Sequence, residues 1–207
     1  MTLYPAAIES YDESAPSPDE TETATFALGC FWGPDAAFGA LDGVVRTRVG
    51  YAGGSKADPT YHALGDHSEV VQVDYDPGEL SFTDLLDVAF RNHEPRSQPK
   101  KRQYQNVVFH ETDAEREAIA DYVAESDWPA DSVETRVEPL DTFYLAEDYH
   151  QKFNLGNQPS LERPFEEAGY DADELRESAA ATKINAHAAG KDVPAFEEAL
   201  TYDPRKR

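Results

Sequence analysis

Short apolar runs with period two and longer apolar sets at helical spacing begin at Thr23 and continue through most of the chain. Residues 23–28 read as a buried strand, and 34–41 as a short helix with proline near its first turn. Residues 44–51 have strand composition and run into the breaker pair Gly53-Gly54. Residues 69–75 alternate around Val71 and Val73 and close on the turn signal Asp76-Pro77-Gly78. Ser81 caps the next helix, Asp84 answers it from the third position, and Phe82, Leu85, Leu86, Ala89 and Phe90 recur at helical spacing. Residues 105–109 read as a strand, 113–126 as a helix and 133–137 as another strand.

In order, 23–109 gives strand, helix, strand, strand, helix, strand. That is the split β-α-β pattern of a ferredoxin-like sandwich, an α+β fold with an antiparallel-rich sheet and helices on one face. Beyond about residue 140 the pattern turns helical, over 146–154, 161–168, 173–189 and 193–200. The expected organisation is an α+β domain over 23–160 and a helical carboxyl-terminal extension over 161–207. Residues 1–22 carry Glu9, Asp12, Glu13, Asp19, Glu20 and Glu22, three prolines and no basic residue. With so little apolar surface to offset ordering entropy, they are expected to form a disordered acidic tail.

Composition narrows the class. The chain has 207 residues, 41 acidic against 18 basic, and a formal net charge of −23. Phosphate neutralisation needs a basic surface, so neither a nucleic acid nor an anionic lipid surface is expected as partner. No run reaches the roughly 18 apolar residues of a membrane span, and no apolar h-region follows a basic amino terminus, so a cytoplasmic protein is expected; it is also expected to be a monomer. The acid surplus, with only seven lysines, suggests adaptation to high salt, where screening relieves self-repulsion.

The single cysteine excludes an internal disulfide and a cysteine-only metal site. Cys30 sits in Gly29-Cys30-Phe31-Trp32-Gly33-Pro34, between the first strand and the first helix. Helix-start N–H groups and the helix dipole favour a thiolate there, so its pKa is expected to fall below the roughly 8.5 of free cysteine. Two successive aromatics in a turn are an unusual demand for core packing alone. His67, His93 and His150 match no zinc spacing, and no bound metal or cofactor is expected.

The motif Gly29-Cys30-Phe31-Trp32-Gly33 resembles the signature of the methionine sulfoxide reductase A family. The likeness continues through residues 49–54, Asp58-Pro59-Thr60-Tyr61, residues 67–71, Tyr75-Asp76-Pro77, Gln103-Tyr104, residues 146–151 and 178–190. It implies reduction of the S epimer of methionine sulfoxide, peptide-bound and free, through a Cys30 sulfenic acid. By the same resemblance Cys30 is the nucleophile, Glu69 the buried acid, Tyr61 and Tyr104 the hydroxyl donors, and Phe31 and Trp32 the wall for the methyl and thioether carbons. The chemistry asks for these groups: sulfoxide oxygen leaves only when it is protonated or strongly hydrogen-bonded.

Three features depart from the family pattern. The loop between Tyr61 and Glu69 is short. No acid lies in 96–102 before Gln103-Tyr104, which leaves Tyr104 to carry more of the polarisation. No second cysteine exists, so Cys30 must be regenerated by an external thiol, from a thioredoxin-like protein or a small molecule, and access to it must be restricted against over-oxidation. Arg91, Arg96, Lys100, Lys101 and Arg102 form either a solvated loop that balances nearby acids or a rim that attracts an acidic reductant. Two other functions use the same residues: a cysteine-dependent acyl-transfer enzyme with Glu69 and His67 or His150, and a non-catalytic redox-sensing module.

Overall fold

The computed structural model describes residues 3–193. Its amino-terminal helix α1 (Pro5–Ser14) precedes strand β1 (Glu22–Leu28), helix α2 (Trp32–Gly39), and strands β2 (Val44–Ala52) and β3 (Ser68–Tyr75). Helix α3 (Phe82–Arg91), strand β4 (Asn106–His110), helix α4 (Asp113–Glu125) and strands β5 (Arg136–Pro139) and β6 (Tyr144–Leu145) follow. The sheet order is β5-β4-β1-β3-β2-β6, and the four central strands are mutually antiparallel. With α2 crossing from β1 to β2 and α3 from β3 to β4, this is the ferredoxin-like α+β arrangement that the periodicity predicts.

Period-two alternation sorts the side chains. Phe26, Leu28, Val71, Val73 and Val108 face Phe38 of α2, the apolar stripe of α3 and Ile119 of α4. Ala27, Val70, Val107 and Phe109 point to the other face, under Leu140 and Phe143. Phe26 stacks on Phe38 at 4.9 Å, which seats α2 on the strand that leads to Cys30. At Gly50, β6 and Phe143 come so close that any β-carbon would overlap them, so only glycine admits that crossing. The capping box expected at Ser81 and Asp84 forms.

Three departures from the sequence reading have local causes. The acidic segment expected to be disordered contains α1, because Leu3, Ala7 and Ile8 are buried against a helical layer supplied from the other end of the chain. That layer holds α5 (Phe153–Gly156), α6 (Pro159–Ala168) and α8 (Ala179–Ala188). Asp12 fixes the contact: its carboxylate accepts from the Ala180 N–H at 2.7 Å and from the Tyr170 hydroxyl at 2.8 Å.

The helix expected over 173–189 is interrupted at Ser178, which is extended and accepts from the Ala181 N–H at 2.9 Å. The residue ends α7 (Ala172–Glu177) and starts α8 as its N-cap.

The helix expected over 146–154 reduces to one 3-10 turn, Asp148–His150, followed by Lys152 at φ 47° and the short α5. The side chains after the turn are spent on the sheet instead. Gln151 accepts from the Val49 N–H at 3.0 Å and donates to the Val49 carbonyl at 2.9 Å, and Lys152 Nζ donates to the Thr47 carbonyl at 2.5 Å. Of the helix expected over 193–200, all but Val193 lies outside the described residues. Among the described residues no helix is long and apolar enough to cross a membrane.

Candidate active site

Strand β1 ends at Leu28, and Gly29 at φ 84° turns the chain so that Cys30 stands immediately before α2. Helix α2 is clamped from behind: Asp35 in its first turn accepts from Thr47 Oγ1 at 2.5 Å and from Asn185 Nδ2 at 2.9 Å, joining β2 and α8 to the helix that presents the thiol. Cys30 is exposed as a residue, so the restricted access expected from the missing second cysteine is not built as burial. Its pKa is raised rather than lowered. Partial burial of the thiol is the largest cause, a hydrogen bond from the Trp32 N–H opposes it, and the charge and hydrogen bond of Glu69 add to it. The helix start contributes as expected; burial of the thiol, with the Glu69 carboxylate adding to it, outweighs it.

Glu69 is the second residue of β3, opposite Tyr51 in register and only 1% exposed. Its carboxylate accepts from the Phe31 N–H at 3.1 Å and from Gln103 Nε2 at 2.5 Å. Burial pushes its pKa up against these bonds and against the nearby Lys101 charge. One stretch of chain, Arg102–Tyr104, therefore supplies both a partner for the acid and the Tyr104 hydroxyl.

Tyr104's pKa is raised by burial, by Glu69 and by the neighbouring Tyr61. Tyr61 is placed by Glu147, which accepts from its N–H at 2.9 Å and from the Tyr51 hydroxyl at 2.7 Å. Arg102 ties the two tyrosine-bearing segments together, donating to the carbonyls of Asp66 at 3.0 Å and Gly53 at 2.9 Å.

Phe31 is buried in a cluster with Val49, Tyr51 and Ala146, and Trp32 packs against it. Trp32 stacks on Phe153 at 3.6 Å. His150 fills the space between: its ring lies 5.1 Å from Phe31, 5.7 Å from Trp32 and 4.8 Å from Tyr61. It is 3% exposed, and neither ring nitrogen has a hydrogen-bond partner among the described residues. Burial lowers its pKa, which disfavours the charged ring in this aromatic wall. His67 is engaged elsewhere, accepting from the Gly54 N–H at 3.1 Å with its other nitrogen 2.7 Å from the Lys56 carbonyl. Neither histidine forms the dyad with Cys30 that acyl transfer needs. Among the described residues no cluster of three or more His, Cys, Asp or Glu could hold a metal.

The basic loop divides in two. Arg91 and Arg96 pair with Asp87 and Glu94, and Arg102 is held by carbonyls. Lys100 and Lys101 are exposed and make no ion pair among the described residues, and Lys101 lies 4.8 Å from the centre of the Tyr104 ring.

The sequence reading missed Gln103 and Glu147 as supports. Both lie inside the quoted motifs, but their partners are 34 and 86 or more positions away. Together the groups offer a thiol, a carboxyl beside it, two neighbouring hydroxyls and an aromatic wall around Cys30.

Comparison with known proteins agrees with this assembly. Residues 22–182 match the peptide methionine sulfoxide reductase family. The chain is 42% identical over 171 residues to peptide methionine sulfoxide reductase of Drosophila melanogaster, covering 81% of this chain and 68% of that one. Among solved structures, Mxr1 of Saccharomyces cerevisiae in reduced form superposes with a TM-score of 0.62 at 31% identity, over 69% of this chain and 88% of that one. The same protein in complex with Trx2 gives 0.50 at 30% identity, over 65% and 86%. An α+β fold of that kind and an unbroken family match across the Cys30 recess place the chain in the peptide methionine sulfoxide reductase family, whose members are oxidoreductases acting on methionine sulfoxide.

Proposed function

We propose that this enzyme reduces the S epimer of methionine sulfoxide, in peptides and free, with Cys30 as nucleophile and an external thiol as electron source. The observation that carries the reading is the buried Glu69 carboxylate, held at the Phe31 N–H 3.1 Å away, beside the Cys30 thiol whose pKa its charge raises. The pair holds one proton in either of two ways. Thiol with carboxylate is one. Thiolate with carboxylic acid has the same net charge and is the reacting form, so no charge need enter the recess as the reaction begins.

The thiolate attacks the sulfoxide sulfur while Glu69 delivers its proton to the oxygen, with the Tyr61 and Tyr104 hydroxyls donating to the same oxygen. The S–O bond breaks and the hydroxyl passes to Cys30, giving Cys30–SOH and the thioether. Substrate sulfur gains two electrons and Cys30 sulfur loses two. Phe31 and Trp32 receive the methyl group. With oxygen, methyl and attacking sulfur each assigned a direction, only one sulfur configuration leaves the rest of the substrate pointing out of the recess. That selects an epimer.

Regeneration takes two thiols: the first displaces water from Cys30–SOH to form a mixed disulfide, and the second releases Cys30 as thiol. The Mxr1 complex with Trx2 supports a thioredoxin-like donor. The unpaired Lys100 and Lys101 near Tyr104 suit an acidic one. Reduction of separated epimers of an acetylated methionine sulfoxide with dithiothreitol tests the reading. The wild type consumes the S epimer and Cys30→Ser consumes neither; consumption of the R epimer, or by Cys30→Ser, contradicts it.

A further inference from the structure

A surface groove of ≈ 450 Å³ opens beside Cys30, lined by Trp32 and Phe153 with Asn92, Asn154 and Lys191. It shares Cys30 and Trp32 with the site above, includes none of Phe31, Tyr51 or Tyr61, and is sized for a small molecule. Its charge sets it apart. Although 41 of the 207 residues are acidic, no carboxylate among the described residues lines it. Three other surface cavities each carry at least three, such as Asp42, Asp76 and Glu79 around one of ≈ 440 Å³. Lys191 is exposed, makes no ion pair among the described residues, and is held at the end of α8 by its N–H to the Ala186 carbonyl at 3.0 Å.

We infer that this groove seats the reductant: a low-molecular-weight thiol bearing a carboxylate, whose anion meets the Lys191 ammonium while its sulfur reaches Cys30. The inference deepens the external-thiol reading above and depends on it for the source of Cys30–SOH. Bound thiol R–SH attacks Cys30–SOH to give Cys30–S–S–R and water. A second R–SH then attacks the bound R sulfur, releasing R–S–S–R and Cys30–SH. The acid-free lining matters because a carboxylate entering any of the three other cavities meets like charge.

The test loads the sulfenic acid without any sulfoxide. One equivalent of hydrogen peroxide converts Cys30–SH to Cys30–SOH and water; 3-mercaptopropionate, 2-mercaptoethanol or cysteamine is then added at low ionic strength, and the mixed disulfide is timed by intact mass. Comparing wild type with Lys191→Glu for each thiol removes intrinsic reactivity. The variant slows the anionic thiol about two- to tenfold, leaves the neutral one unchanged and speeds the cationic one, and Lys191→Gln falls between. Equal changes for all three thiols, or none, overturn the inference. Because the peroxide route bypasses the sulfoxide, charge selectivity in this assay with no sulfoxide turnover would count against the proposed function and leave the groove assignment standing.

Discussion

Replacing Glu69 by Gln moves two observables in opposite directions. The carboxylate is 1% exposed, accepts from Phe31 N–H and Gln103 Nε2, and contributes charge and a hydrogen bond that raise the Cys30 pKa. An amide supplies one oxygen where two donors converge, so one donor must turn away or lose its partner, at a stability cost of about 1–3 kcal/mol. The same change removes the carboxylate that holds the thiol proton, so Cys30 ionises at lower pH than in the wild type. If thiolate were all that turnover needs, the variant would be faster. With Glu69 as the general acid, the variant instead loses the proton that oxygen must receive, and kcat falls about 10²–10⁴-fold, equivalent to about 3–5 kcal/mol. KM changes little, because the Phe31 and Trp32 side chains are untouched. The assay pairs steady-state reduction of the S epimer with titration of Cys30 by thiolate absorbance. A kcat loss below about tenfold, under the usual range for a general acid, or a rise in the Cys30 pKa, rules out this role for Glu69.

Other consequences are directly measurable. Ile8→Ala, at a fully buried position of α1, costs about 2–5 kcal/mol in denaturant unfolding and leaves kcat unchanged; a cost near zero would mean that α1 does not pack. Lys183 is buried and its pKa is pushed down to about 8 from 10.5 by burial. The unfolded chain therefore binds more protons across that window, and this group's contribution to stability rises with pH. Relative to Lys183→Met, the wild type gains roughly 2 kcal/mol between about pH 8 and pH 10; parallel stability curves would contradict this. Lys100→Glu with Lys101→Glu slows turnover with an acidic protein reductant and spares 2-mercaptoethanol, and equal rates with both would leave the rim no part in reductant binding.

The sheet and its two crossover helices are legible in the sequence because each strand carries its own period-two record and each helix its own stripe. Cys30, Phe31 and Trp32 are legible because they are contiguous. What local pattern does not convey is the company that folding brings. Folding half-buries the Cys30 thiol and, through the β1–β3 pairing, brings Glu69 beside it, so a pKa expected to fall is raised. Helix α1 reads as disordered because its own apolar residues are too few for a core; Leu161, Phe165 and Ile184, more than 150 positions away, supply the rest. Ser178 and Lys152 break expected helices through one side-chain cap and one side chain turned into the sheet, neither of which alters the apolar period.

Sulfenic acid chemistry at Cys30 is tested most directly by an anaerobic single turnover without reductant. The S epimer of a methionine sulfoxide peptide is added in excess, the methionine formed is counted, and the protein is weighed intact after quenching. The expected result is one methionine per protein, a mass gain of one oxygen atom on Cys30, and resumed turnover once a thiol is added. More than one methionine per protein before thiol addition, or oxygen found on any other residue, would contradict the mechanism.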